Sequence, residues 1–182
     1  QIEPCKVALA LRGLFPDASL ARALSGVGAL PRWARYQGRS WADTGHRIIL
    51  RAVECTGTAR SLRAWQVNRD SDAPKRLPPA GHRANELVLA NGLAAQHLAD
   101  PRAPIRLLVT EGESCFLSLC QRYPGANVIG VYSGSWTSAF AERVPFGSLV
   151  SVRTDCDEAG DRYAATIINT LRGRAVCKRL AA

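Results

Sequence analysis

The second half of the chain alternates short apolar runs with apolar residues at helical spacing. Ile105–Val109, Val128–Val131, Ser148–Val152 and Ala175–Leu180 have strand length and composition. Between them Phe116, Leu119, Cys120 and Tyr123 fall at helical spacing and stop at Pro124-Gly125. Thr137–Arg143 predicts a short helix before Pro145, and Ala164, Ile167, Ile168 and Leu171 make one face of a helix closed by Gly173. Strictly alternating strands and helices predict a parallel sheet with helices on both faces. The first half is patterned differently. Lys6 to Leu24 carries short helical signals broken at Gly13 and Pro16, with Asp17 as an N-cap and Ser25-Gly26 as a stop; residues 27 to 45 read as loops. Ile48–Val53 and Arg60–Val67 flank Glu54-Cys55-Thr56-Gly57-Thr58 and predict a β-hairpin with Gly57 in the turn. Asn68 to Gly81 holds too much Pro and charge for a core element.

Two of the strand-like runs stop on carboxylates, which puts Glu111, Asp155 and Asp157 just past strand C-termini. In open parallel α/β sheets that edge is where ligands bind. Three carboxylates with no cation beside them in sequence repel one another unless a hard divalent ion sits between them, and Mg²⁺ is the ordinary occupant of an oxygen-lined site. Charge adds a second clue. The net charge is +9, and residues 1 to 104 carry 15 Lys/Arg against 8 Asp/Glu, whereas 105 to 182 carry 9 against 7. A basic half beside a carboxylate-bearing half suits a catalyst that handles polyanions, the plainer explanation being a soluble basic surface. Arg32, Trp33, Arg35, Tyr36 and Arg39 interleave cations with aromatics, a pattern that stacks bases or, equally, lays long side chains over a small core.

Composition excludes other classes. No run of eighteen apolar residues exists, so no membrane span is expected. The six cysteines are scattered without zinc spacing and read as free buried thiols of a cytoplasmic protein. The chain opens on Gln1, contains no Met and has no charged segment leading into an apolar one, so it reads as a fragment of a longer polypeptide without a signal peptide.

The carboxylate segments resemble the TOPRIM domain, the catalytic module shared by bacterial-type primases, type IA and type II topoisomerases, OLD-type nucleases and RecR-like repair proteins. The resemblance rests on Leu107-Leu108-Val109-Thr110-Glu111-Gly112, a strand ending in Glu-Gly, and on Thr154-Asp155-Cys156-Asp157-Glu158-Ala159-Gly160, a strand ending in Asp-x-Asp-x-x-Gly. Val128-Ile129-Gly130-Val131-Tyr132-Ser133-Gly134 matches the weaker middle motif, a strand and a Gly-containing loop. The basic hairpin and the following Pro74-Lys75 are similar to the subdomain that precedes TOPRIM in primases, with Arg76 where that family usually has Tyr. A second departure follows Glu111-Gly112: the family's Asp position is Cys115, and an extra acid stands at Glu113.

The resemblance implies an α/β fold, a TOPRIM Rossmann-like parallel sheet over 105–182, preceded by a small basic α+β subdomain over 1–104. It implies that the catalytic subdomain is truncated before the family's further acids. The implied reaction is that of a DNA primase, template-directed joining of ribonucleoside triphosphates on single-stranded DNA, with a helicase as a fused or separate partner. Asp155 and Asp157 would hold Mg²⁺ or Mn²⁺, and Glu111 would be a further ligand or the general base for the attacking hydroxyl. Arg63, Arg69, Lys75 and Arg76 would bind template backbone or triphosphate. Two other readings use the same module: a metal-dependent nuclease, and a non-catalytic DNA-binding scaffold, against which the intact Glu111, Asp155 and Asp157 count. A topoisomerase would leave the basic hairpin unexplained.

Overall fold

The computed structural model describes residues 28–29, 35–41, 43–66, 72–79, 82, 85–132 and 134–180. The helix expected between Lys6 and Leu24, and with it Cys5, Arg32, Trp33 and Arg69, lies outside these residues. The described strands run β1 Gly28–Ala29, β2 Arg35–Tyr36, β3 Arg39–Ser40, β4 His46–Val53, β5 Ala59–Gln66, β6 Arg76–Leu77 and β7 Val88–Ala90. There follow α1 Gly92–Ala99, β8 Arg106–Glu111, α2 Glu113–Arg122, β9 Asn127–Val131, α3 Ser138–Glu142, β10 Ser148–Arg153, α4 Glu158–Thr170 and β11 Ala175–Arg179.

Nine strands form one mixed sheet in the order β11-β10-β8-β9-β7-β4-β5-β6, with β1 paired to β4. The four strands β11, β10, β8 and β9 are mutually parallel. From β9 onward the sheet turns antiparallel through β7, which joins the β4–β5 hairpin to the parallel part. The α/β architecture expected from the alternation is therefore present, and the sheet continues without a break across residues 104 and 105.

Alternation along the strands sorts apolar side chains to two faces. Leu107 and Val109 of β8, Ile129 and Val131 of β9, and Val150 and Val152 of β10 pack with Ala94 and Leu98 of α1, Phe140 of α3 and Ala164 and Ile167 of α4. On the opposite face Val128 packs with Phe116, Leu119 and Cys120 of α2, together with Ile48, Leu50 and Trp65 from the hairpin. Burying each such side chain is worth about 1.5–3 kcal/mol, so α2 is held by both the parallel strands and the hairpin.

The hairpin turn sits where predicted. Gly57 has φ +74°, its N–H donates to the Glu54 carbonyl at 2.9 Å, and a Cβ there would lie 2.1 Å from the Ala95 carbonyl oxygen of α1. Only glycine lets the turn seat on the helix backbone. Residues 76 and 77, expected in a loop, add a two-residue edge strand because Leu77 is buried and pairs with Ala64. Of the five described cysteines all are free, but only Cys120 is buried and Cys156 is exposed, so the expectation of buried thiols holds for one of them. None of the described helices is long and apolar enough to cross a membrane.

Candidate functional site

Glu111 is the last residue of β8 rather than the first beyond it, because its backbone still pairs in register with Val131 of β9. The next residue, Gly112, has φ +75° and donates its N–H to the Val131 carbonyl at 2.9 Å. The Glu-Gly pair thus turns the chain from strand into α2 through a left-handed residue that a side chain would strain. Asp155 and Asp157 follow β10, the strand hydrogen-bonded to β8. The Asp155 backbone N–H donates to Glu111 Oε2 at 3.3 Å, so the two strand ends meet.

The Asp-x-Asp-x-x-Gly segment closes on itself. Asp157 is the N-cap of α4, its Oδ1 accepting from the Gly160 N–H at 2.7 Å. A Cβ on Gly160 would lie 2.1 Å from the Asp155 carbonyl oxygen. The glycine of the motif is therefore required by close approach, and the cap fixes the loop that carries both aspartates. Arg179 of β11 donates to the Asp155 carbonyl at 3.4 Å and to Thr154 Oγ1 at 3.3 Å, and pairs with Asp161 at 2.6 Å. A cation absent from the local sequence thus reaches the carboxylate loop from the neighbouring strand.

Burial raises the Glu111 carboxyl above the usual range, and the charges of Asp155 and Asp157 push it the same way, while the Asp155 N–H opposes both. Glu111 thus senses both aspartates across the strand ends. Carboxylate oxygens are the hard donor type that cations of the Mg²⁺ class take. The side chains are not drawn into a closed ligand set: among the described residues no three His, Cys, Asp or Glu side chains are grouped closely enough to hold a metal ion. One Asp157 oxygen is committed to the helix cap.

The predicted basic residues are arranged around a carboxylate of their own. Arg63 of β5 lies across from Leu50 in the hairpin and so shares the face that α2 covers. It and Arg76 of β6 both ion-pair with Glu113, a fully buried carboxylate in the first turn of α2. The Arg63 guanidinium also lies 4.0 Å from the ring centroid of Tyr132, whose phenol burial pushes up to about 12. The two departures from the family pattern seen in sequence, Arg76 and Glu113, are thus partners in space. Glu113 stands favourably at the positive end of α2, and the triad keeps one surplus positive charge beside the Glu111-Gly112 turn. Its carboxylate is committed to the arginines and is not a further member of the Glu111 set.

Lys75 is held through its backbone: its carbonyl accepts from the Gln66 N–H at 2.8 Å, while the preceding Pro74 carbonyl accepts from His46 Nε2 at 2.7 Å. Arg69 lies outside the described residues. In the basic–aromatic patch Arg39 pairs with exposed Asp72 and Arg35 donates to the Gly38 carbonyl. Reading the sequence missed Glu113 and Tyr132 as partners of the arginines, and missed Arg179. The visible signal for Arg179 was a cation ending the strand that follows the Asp-bearing one.

No family model and no curated protein matches this chain. Solved structures do match its fold. A DnaG primase catalytic domain bound to single-stranded DNA superposes with a TM-score of 0.65 at 19% identity over 98% of this chain and 66% of its own length. The RNA polymerase domain of Mycobacterium tuberculosis primase DnaG gives 0.61 at 14% identity, over 98% of this chain and 68% of that one. A structure of the Aquifex aeolicus primase zinc-binding and RNA polymerase domains gives 0.54 at 16% identity, and this chain, covered in full, spans 43% of it. At these identities the likeness is one of fold.

Proposed function

We propose that this chain is the catalytic core of a DNA primase, a nucleotidyltransferase joining ribonucleoside triphosphates on a single-stranded DNA template. The observation that carries the reading is the meeting of Glu111 with the Asp155 loop at the C-terminal ends of adjacent parallel strands, within a primase-type fold that spans nearly the whole chain.

In this mechanism Glu111, Asp155 and Asp157 would hold Mg²⁺ or Mn²⁺. When bound, such an ion lowers the pKa of an attacking hydroxyl and offsets charge growing on a triphosphate. Glu111, whose carboxyl is already raised, suits either a ligand's place or that of a base accepting the proton of a 3′-hydroxyl. Arg76 is the member of the Glu113 triad open to solvent, and its Nη2 lies 4.0 Å from where a Cβ on Gly112 would sit. From there it can donate to a phosphate lying against the Glu-Gly turn, with Lys75 beside it in sequence. Arg63, more enclosed and stacked on Tyr132, holds the triad in place.

The test is ribonucleotide incorporation. The polypeptide carrying this chain, given single-stranded template, Mn²⁺ and labelled ribonucleotides, makes short oligoribonucleotides, and Asp157→Ala abolishes them. Degradation of the template without incorporation would overturn the reading in favour of a nuclease.

A further inference from the structure

Among the described residues, no element covers the far edge of the sheet face on which α2 packs. Leu149, Ser151 and Arg153 of β10 share this face with Leu108 of β8, and Leu149 and Ser151 stand in register with Val176 and Lys178 of β11. Leu149 is 46% exposed and Val176 66%, high values for aliphatic side chains within strands. Between this surface and the C-terminal end of α2 runs a groove of about 680 Å³.

Its floor is aliphatic, supplied by Leu108, Leu119 and Leu149, and its polar rim is of one sign. Arg106, Arg122 and Arg153 line it, and no lining residue among those described is acidic. Lys178 extends the positive rim along β11. None of these four cations forms a salt bridge among the described residues, although Arg122 stacks over Tyr123 at 5.5 Å.

We propose that this groove docks an acidic amphipathic helix of a partner protein. An apolar stripe at helical spacing would cover Leu108, Leu149 and Val176, while flanking carboxylates met Arg106, Arg122 and Arg153. The chemistry favours this occupant over two others. Single-stranded nucleic acid would satisfy the arginines, but it stacks on aromatic platforms, and this floor is aliphatic with one tyrosine already beneath an arginine. A second copy of a chain of net charge +9 would bring like charge to a basic rim. The groove lies on the face of the strands and reaches their C-terminal ends at Arg153, two residues before Asp155, and the peptide-binding readout does not depend on the activity.

A fluorescein-labelled amphipathic peptide, with Leu at i, i+3, i+4 and i+7 and Glu on both flanks, is titrated with the whole chain and followed by anisotropy. Binding should weaken with salt, and a scrambled peptide of the same composition should bind at least about tenfold more weakly. Leu149→Glu and, separately, Val176→Glu should each weaken binding by about tenfold or more, with circular dichroism confirming that both fold. Arg122→Glu with Arg153→Glu should do the same and flatten the salt dependence. Equal binding of the scrambled peptide, or indifference to both apolar substitutions, would overturn the proposal. So would loss of labelled oligo-dT binding in Leu149→Glu with no peptide bound at all, or a dimer in solution that Leu149→Glu converts to monomer.

Discussion

Glu113→Gln keeps the shape of the side chain at the centre of the basic triad and removes its charge. The parent carboxylate is fully buried and faces Arg63, whose side chain is 15% exposed, and Arg76, which is 35% exposed. Breaking a buried ion pair from one side costs about 3–5 kcal/mol, because the remaining charges stay behind without compensation. Water reaches part of Arg76, and the Gln oxygen still accepts from one guanidinium, so the lower figure of about 3 kcal/mol applies. In a chain of this size each kcal/mol moves the melting temperature by about 2–4 °C, which makes the expected fall roughly 6–12 °C. Thermal unfolding of the parent and variant measures it directly. Replacing all three residues with apolar ones, Glu113→Leu with Arg63→Met and Arg76→Met, should cost less than the single substitution, because no charge is left stranded. A Glu113→Gln protein that melts within about 2 °C of the parent, or a triple variant less stable than the single one, would refute the argument.

Three further outcomes follow from the same geometry. Asn91 is buried at the N-cap of α1, where Oδ1 accepts from the Ala94 and Val128 N–H groups and Nδ2 donates to the Ala126 carbonyl, so Asn91→Leu should lower stability by about 2–3 kcal/mol in urea titrations. Gly160→Ala, which in an ordinary exposed helix would gain about 1 kcal/mol, should instead destabilise the chain in the same titrations, because the new methyl group meets the Asp155 carbonyl. Glu111→Gln should raise the melting temperature near pH 7: a carboxyl whose folded pKa is raised stabilises the fold only while protonated, and that contribution is lost as pH rises through it. The gain should vanish below the unfolded value of about 4.3, where the parent Glu111 is protonated in both states.

The sequence was legible where the signal is local. Strands β8, β9, β10 and β11, helices α2, α3 and α4 and the hairpin at Gly57 all follow from apolar spacing and stop residues within a dozen positions. Strand β7 and helix α1 were passed over, although Asn91 is a good N-cap, because a three-residue strand and a helix of Gly and Ala with few large apolar residues give almost no periodic signal. Continuity of the sheet was not readable either. It depends on β7 pairing antiparallel to both β4 and β9, a register fixed only in three dimensions. The same separation divides the site. Glu111, Asp155 and Asp157 announced themselves at strand ends, whereas Arg63 and Glu113 are fifty residues apart and meet only because α2 folds over the hairpin.

The central claim, that Glu111, Asp155 and Asp157 form a divalent-cation site, is tested most directly by titrating Mn²⁺ into the whole chain and following the free ion by electron paramagnetic resonance. The account predicts saturable binding in the parent that Mg²⁺ displaces, and loss of that binding in Asp157→Asn. Asparagine keeps the oxygen that caps α4 and removes only the charge, so the fold is retained while the ligand is weakened. Binding unchanged in Asp157→Asn and in Asp155→Asn, or a parent that leaves all Mn²⁺ free, would contradict it.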